Sequence, residues 1–360
     1  ASDIRRARGT ASAAAGAARA VPCVVEPVST GIGGDWFRLC QTGGEGPVSG
    51  INGSGWSPHG QTVESLLERG IDEIGPNSID SVTVPGAVDA WCAILDAHGT
   101  MGIGRVLQPA IDFAENGFAV SQVSQRQWTN RLDGLRGNAA ASSLYLKNGS
   151  VPEAGEIWRS PALGQTLRAI AKDGRDGFYC GPVLDQMIAD LQAMGGTHVH
   201  EDFAALRHET VEPLRSGYRG REVLEIPPNG GGITAQIILN ILQGFDLSPL
   251  DPYGAERLHL EIEAQRLAFA ERDRYVADQR HGDVPVDFLL SDEHAATLRA
   301  HIRTDRAMDP LPVVDGPLHK DTVYLTVVDR DLNCVSFINS VFWGFGSCIG
   351  SEKTGVIFQN

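Results

Sequence analysis

The sequence predicts a mixed helix-and-strand protein, and three observations carry that prediction. Helical patterns recur along the chain before residue 278, a clean β-hairpin follows residue 321, and turn residues abound, with 42 glycines and 19 prolines. At 360 residues, 42% hydrophobic and 21% charged, the chain is long enough for one large domain or two ordinary ones with a sizeable core.

The elements read as follows. Residues 21–60 hold turn-rich apolar pieces. Ser81-Val-Thr-Val84 is strand-like, and Pro85-Gly86 then opens a helix over Ala87–Ala97. Val106–Asn116 is a second amphipathic helix, stopped by Gly117. Three more helical patterns lie around Leu163–Lys172, Pro182–Met194 and Asp202–Leu206, with Asp202 expected as the N-cap of the last. Ile233–Leu242 and Ala255–Ala277 are the strongest helices; in the second, Leu258, Ile262, Gln265 and Phe269 share the apolar face. Gln279–Leu318 is polar and irregular. Thr322-Val-Tyr-Leu-Thr-Val-Val328 and Cys334-Val-Ser-Phe-Ile338 then form two strands around the turn Asp329–Asn333.

Composition excludes several classes. Forty-five acidic residues against 30 basic give a net charge of −15, which disfavours nucleic acid and anionic membranes, since both recruit clustered positive charge. No apolar run approaches the ~18 residues that would span a bilayer. No secretory leader is visible, which favours the cytoplasm slightly and leaves periplasm or secretion open. The six cysteines lie far apart without a C-x-x-C pair, and read as buried thiols.

Motifs narrow the chemistry further. Gly31-x-Gly33-Gly34 lacks the third glycine of a dinucleotide loop, and Glu352 before Lys353-Thr354 removes a phosphate loop. Pro227-Pro-Asn-Gly-Gly-Gly-Ile233 before a helix is compatible with an anion site and with a packing turn. His198 and His200 lack a third metal ligand, so no metal or cofactor is expected. Thr322 remains, after an irregular linker and at the head of a strand. Cleavage of the Asp321–Thr322 bond would give it a free α-amine, with a pKa near 8, beside its hydroxyl: base and nucleophile in one residue.

From about Val24 to Asn360 the sequence resembles the gamma-glutamyltranspeptidase family of N-terminal nucleophile hydrolases. The carriers, in order, are Val25-Glu-Pro…Gly31-Ile-Gly-Gly-Asp35, Val84-Pro-Gly-Ala87, Leu107-Gln-Pro-Ala-Ile111 with Ala114-Glu-Asn-Gly-Phe118, and Pro227-Pro-Asn-Gly-Gly-Gly232. They continue through His259-x-x-x-Glu263-x-x-Arg266-x-Ala268-Phe-Ala-x-Arg272 and Asp321-Thr322…Val327-Val-Asp329. The resemblance implies an α/β fold, a four-layer α/β/β/α sandwich, made as a precursor that cuts itself before Thr322. Residues 1–321 would be the large-subunit region, with 1–23 atypical, and 322–360 the start of the small one. Thr322 would form an acyl-enzyme from a small-molecule amide, resolved by water or an amino-acid or peptide acceptor, and Ser340 would orient it. No cofactor is implied.

The departures concern specificity and completeness. Family transpeptidases grip the substrate α-carboxylate with an Arg, where this chain has Ser54 and Gly55, and Phe342 replaces an Asn at the same end. Ser54 and Phe342 are therefore the candidate substrate-contacting positions. The Gly53-Ser-Gly55 form and the Ser336-Phe-Ile-Asn-Ser340 strand look more like the amidase branch, with oxamate amidohydrolase-like proteins and some cephalosporin acylases. Leu332 stands in a turn where the family has Gly, a strained choice at positive φ. The family's Gly-Gly oxyanion hole follows the Gln359-Asn360 position, and its strand and helix before Val24 are missing or replaced here by an Ala/Gly/Arg stretch, so the sequence reads as incomplete or altered at both ends. Loss of one such donor is worth about 100- to 1,000-fold in turnover. An inactive homologue with a binding role is the alternative from another class.

Overall fold

The computed structural model describes residues 11, 16, 20–309 and 322–360. They fall into two compact units: Ala1–Pro47, Ile51–Glu209 and Leu318–Asn360 in the first, Val48–Gly50 and Thr210–Pro317 in the second. Asp321, on the acyl side of the expected cut, lies outside the described residues.

The first unit is built on an antiparallel sheet. Its strands are β1 (Asp35–Gln41), the Ile51–Gly53 half of β2 (Val48–Gly53), β3 (Val323–Val328) and β4 (Cys334–Ser340), in spatial order β2-β1-β4-β3. Alternation sends Trp36, Arg38 and Cys40 of β1, and Val335, Phe337 and Asn339 of β4, to the buried face. There Trp36 and Phe337 meet with ring centroids 6.2 Å apart. A second pair, β5 (Ile349–Ser351) and β6 (Val356–Phe358), touches the first sheet's approach through a parallel bridge from Gly33 to Phe358. Helical groups pack on both β elements, so the expected α/β/β/α ingredients are all in this unit.

The helices follow their apolar stripes. Ala87–His98 buries Ala87, Val88, Trp91, Ile94 and Leu95, and stops before Gly99. Ile103–Asn116 buries Val106, Leu107, Ala110, Ile111 and Ala114, and Gly117, at φ +94°, ends it. Pro161–Asp173 and Gly181–Ala193 match the predicted third and fourth helices within two residues.

Four expectations need correcting in this unit. Residues 21–60 contain β1 and β2, which glycine, Arg38 and Asn52 disguise. Ser81–Val84 is not a strand: a 3-10 turn covers Ile79–Ser81, and Val82 and Val84 are buried without joining a ladder. The helix around Phe203 runs His200–Ala205 with Val199 at its N-cap; Asp202 sits three residues in and accepts the Val199 N–H at 2.9 Å. Of the cysteines, Cys23, Cys40 and Cys348 are buried, whereas Cys180 is exposed.

In the second unit, helix Gly232–Leu242 packs on Ala255–Tyr275, with a ribbon of Leu214–Tyr218 and Arg221–Glu225 beside it. The stripe expected on the long helix is out of phase. Leu260, Glu263, Ala264, Leu267 and Ala268 are buried, while Leu258 and Ile262 are 42% and 53% exposed. Glu263 goes inward because Arg266 donates to it at 2.7 Å and the Met308 N–H at 2.7 Å. The tract expected to be irregular holds two short helices, Val286–Leu289 and Asp292–Arg299. No helix of the described residues is long and apolar enough to cross a membrane.

Candidate active site

Thr322 is exposed and stands one residue ahead of β3. The β3–β4 register pairs Val323 with Asn339, so continuing it by one residue sets Thr322 opposite Ser340. Their hydroxyl oxygens lie 3.0 Å apart, within hydrogen-bond distance. Ser340 ends β4, and the chain turns sharply after it: Phe342 has φ +74°, a region that costs a non-glycine residue about 1–2 kcal/mol. That turn brings the Phe342 N–H back to donate to Ser340 Oγ at 2.8 Å. While accepting this bond Ser340 still carries a hydroxyl proton, and either hydroxyl of the Thr322–Ser340 pair can be the donor. The Trp343 N–H, next along, donates to Asn360 Oδ1 at 3.1 Å.

On the other side of Ser340 lies the start of β1. Asp35 is the register partner of Ser340, and residues directly opposite in a ladder put their side chains on the same face. Glycine at 34 makes this possible, because a side chain there would run into the Ser340 carbonyl. Asp35 Oδ1 accepts from the Gly55 N–H at 2.9 Å and from the Gln359 side-chain amide at 2.8 Å. Gln359 also donates to the Thr83 hydroxyl, and its own N–H bonds the Gly33 carbonyl at 3.1 Å. Burial pushes the Asp35 carboxyl up to about 7, against the lowering pull of the Gly55 and Gln359 donors.

The sequence-predicted positions divide. Thr322 and Ser340 are brought together, and Phe342 adjoins them with a side chain 45% exposed. Ser54 is buried, and its hydroxyl and N–H both bond Asn52 Oδ1, at 2.7 and 3.0 Å. Its neighbour Gly55 passes so close to the Val84 carbonyl that no side chain fits. His198 and His200, too few for a metal site by sequence, stand in different surroundings. His198 is buried with Nε2 3.0 Å from the Val82 carbonyl, and His200 is exposed beside Asp185. Asp35, Asn52 and Gln359 were not singled out as site residues, although Asp35 closes the Gly31-Ile-Gly-Gly-Asp35 motif.

Comparisons with known proteins bear on the family and the fold. The chain is 35% identical over 353 residues, 98% of its length and 66% of the relative's, to the Glutathione hydrolase-like YwrD proenzyme of Bacillus subtilis (strain 168). It is 34% identical over 363 residues to the Oxamate amidohydrolase proenzyme of Klebsiella pneumoniae, covering 99% of this chain and 67% of that one. The crystal structure of cephalosporin acylase from Bacillus halodurans superposes with a TM-score of 0.90 at 37% identity, over 99% of this chain and 66% of the acylase. The chain thus spans about two thirds of the length of these relatives. The family profile described as Gamma-glutamyltranspeptidase matches residues 1–360 throughout. With motifs, fold and profile in accord over the whole chain, the protein belongs to the gamma-glutamyltranspeptidase family.

Proposed function

We propose that the protein is a self-processing N-terminal threonine hydrolase or acyltransferase that cleaves an amide bond through an acyl-enzyme. The observation that carries this reading is the 3.0 Å approach of Thr322 Oγ1 to Ser340 Oγ, with the Phe342 N–H behind it. The precursor breaks between Asp321 and Thr322, leaving a large and a small subunit associated. The freed α-amine of Thr322 takes the hydroxyl proton as Oγ1 attacks the substrate carbonyl. The tetrahedral intermediate collapses, the C–N bond breaks, and the leaving amine departs with that proton. Water then yields the carboxylic acid, or an amino-acid or peptide amine takes the acyl group. Ser340 orients Thr322 Oγ1 and offers a hydrogen bond to the charge developing on it.

A second reading concerns the acyl group. Ser54 spends its single hydroxyl proton on Asn52, and the exposed ring of Phe342 is apolar. Neither offers the ionic grip that an α-carboxylate calls for. This favours an amide of a non-glutamyl acyl group over gamma-glutamyl, in line with the acylase and oxamate amidohydrolase relatives.

The test uses the natural full-length protein and its Thr322→Ala variant. On a denaturing gel the parent gives two fragments, the smaller beginning at Thr322, whereas the variant stays one band. Turnover falls in the variant by on the order of a thousandfold or more. Cleavage at another bond, or undiminished activity in Thr322→Ala, removes the nucleophile assignment. Faster turnover of a gamma-glutamyl anilide than of a glutaryl amide or oxamate removes the second reading.

A further inference from the structure

Asp35 is an acid where the surrounding bonds ask only for an acceptor. Its two donors, the Gly55 N–H and the Gln359 amide, are neutral, and both go to the same oxygen. They come from segments 20 and 324 residues away in sequence. Among the described residues no Lys, Arg, His, Asp or Glu bonds or pairs with Asp35. What faces it is Ser340 from β4, Gly55 from the 52–56 loop, and Gln359, itself tied to Thr83, from the segment after β6. An asparagine would accept the same two bonds without an uncompensated buried charge. The acid therefore differs from its amide in its charge and in a second acceptor oxygen where the amide carries an NH2, held on the same face as Ser340 with Cβ atoms about 4.5–5.5 Å apart in such a pair.

We propose that Asp35 is the positioning residue of this site: it clamps the 52–56 loop and Gln359 against the end of β1, fixing the substrate's bed relative to Ser340 and Thr322. The clamp rests on the Thr322–Ser340 reading above and adds to it. Gly55 is held on one side by Asp35 and on the other by the Val84 backbone, so the loop's position follows the carboxyl. Phe342, whose N–H donates to Ser340 Oγ, offers an exposed apolar ring near Ser340 in sequence, and the loop is what a substrate placed there would rest against. The charge of Asp35 enters because it titrates close to neutrality, so the bed it holds changes its field over the working range.

The experiment compares Asp35→Ala, Asp35→Asn and Thr322→Ala in the natural full-length protein, on whichever amide the parent turns over. Asp35→Ala lowers kcat/KM about 10- to 100-fold, the scale of a misplaced substrate. Asp35→Asn recovers to within about threefold at pH 6, where the parent carboxyl is protonated, and its kcat/KM profile loses the parent's inflection near pH 7. Should Asp35→Ala fail to fold, Asp35→Asn carries the test through its pH profile alone. An Asp35→Ala enzyme within twofold of the parent, or an Asp35→Asn profile that superimposes on it, overturns the proposal. Activity surviving in Thr322→Ala instead overturns the nucleophile assignment, and the two failures are told apart by which variant shows them.

Discussion

Two aspartates in the first unit both lose solvation to their surroundings and end in opposite states. Asp35 meets only neutral donors, and burial pushes it up to about 7. Asp89, in helix Ala87–His98, suffers burial as its largest influence too. Yet it receives the His208 N–H at 2.7 Å, the His208 ring at 2.8 Å and the Arg175 guanidinium at 2.5 Å, and these hold it down at about 2. Arg175 in turn caps the Phe203 and Leu206 carbonyls, so Asp89 is the hub of a tie between that helix and residues 203–208. Burial alone thus does not decide the state of a carboxyl; the hydrogen bonds it receives, and the Arg175 charge beside it, do. One acid is spent on holding the fold, the other remains able to titrate beside the nucleophile's partner.

The largest expected effect is at the hub. Asp89→Ala strands Arg175 and the His208 N–H in a largely buried place, and denaturant unfolding should show a loss of about 3–5 kcal/mol. In the parent, the stabilisation from Asp89 is complete above pH 4 and fades as pH falls from about 4 toward 2, because its folded pKa lies below the unfolded one. Asp35 carries the opposite sign. Its raised pKa means the native state binds the extra proton, so stability falls as pH rises from about 4 to 7 and levels off above. Asp35→Asn should therefore gain on the order of 1 kcal/mol or more at pH 8 and almost nothing at pH 4, read from melts at both. A stability gain of equal size at both pH values would break the contrast. The smallest effect belongs to His208→Gln, which keeps the backbone donor to Asp89 and alters the ring contact: about 0.5–1 kcal/mol, with acid unfolding beginning at a slightly higher pH.

Much of this was legible in the residues, and the misses share a cause. The helices at Ala87–His98, Ile103–Asn116 and Gly232–Leu242 announced themselves because their buried stripes are made of large apolar side chains. The long helix misled because its inner face is alanine, leucine and an ion-paired Glu263, while Leu258 and Ile262 face water. Strands β1 and β2 were hidden by glycine and by Arg38, whose burial no hydropathy pattern predicts. The Thr322–Ser340 approach could be anticipated, since a hairpin fixes which residues lie opposite. Leu332 does take the positive φ suspected of it, at +58°. The bond from Asp35 to Gln359 could not, because nothing local records a contact between the two ends of a chain.

That bond, and the ladder it extends, bear on what a severed backbone would do. β4 lies beyond Thr322 and β1 near the start, yet they are zipped from Asp35↔Ser340 to Gln41↔Cys334, and β6 bridges back to Gly33. A cut ahead of Thr322 would divide the polypeptide without dividing the sheet. The pieces would stay married through interior strands, and a gel run without denaturant would still show one particle. The hairpin alone sets Thr322 against Ser340, but Asp35 and Gln359 come together beside them only when distant stretches of chain have found each other, a slow kind of search. A scission that needed the whole assembly would then mark the end of folding, a timestamp written into the backbone.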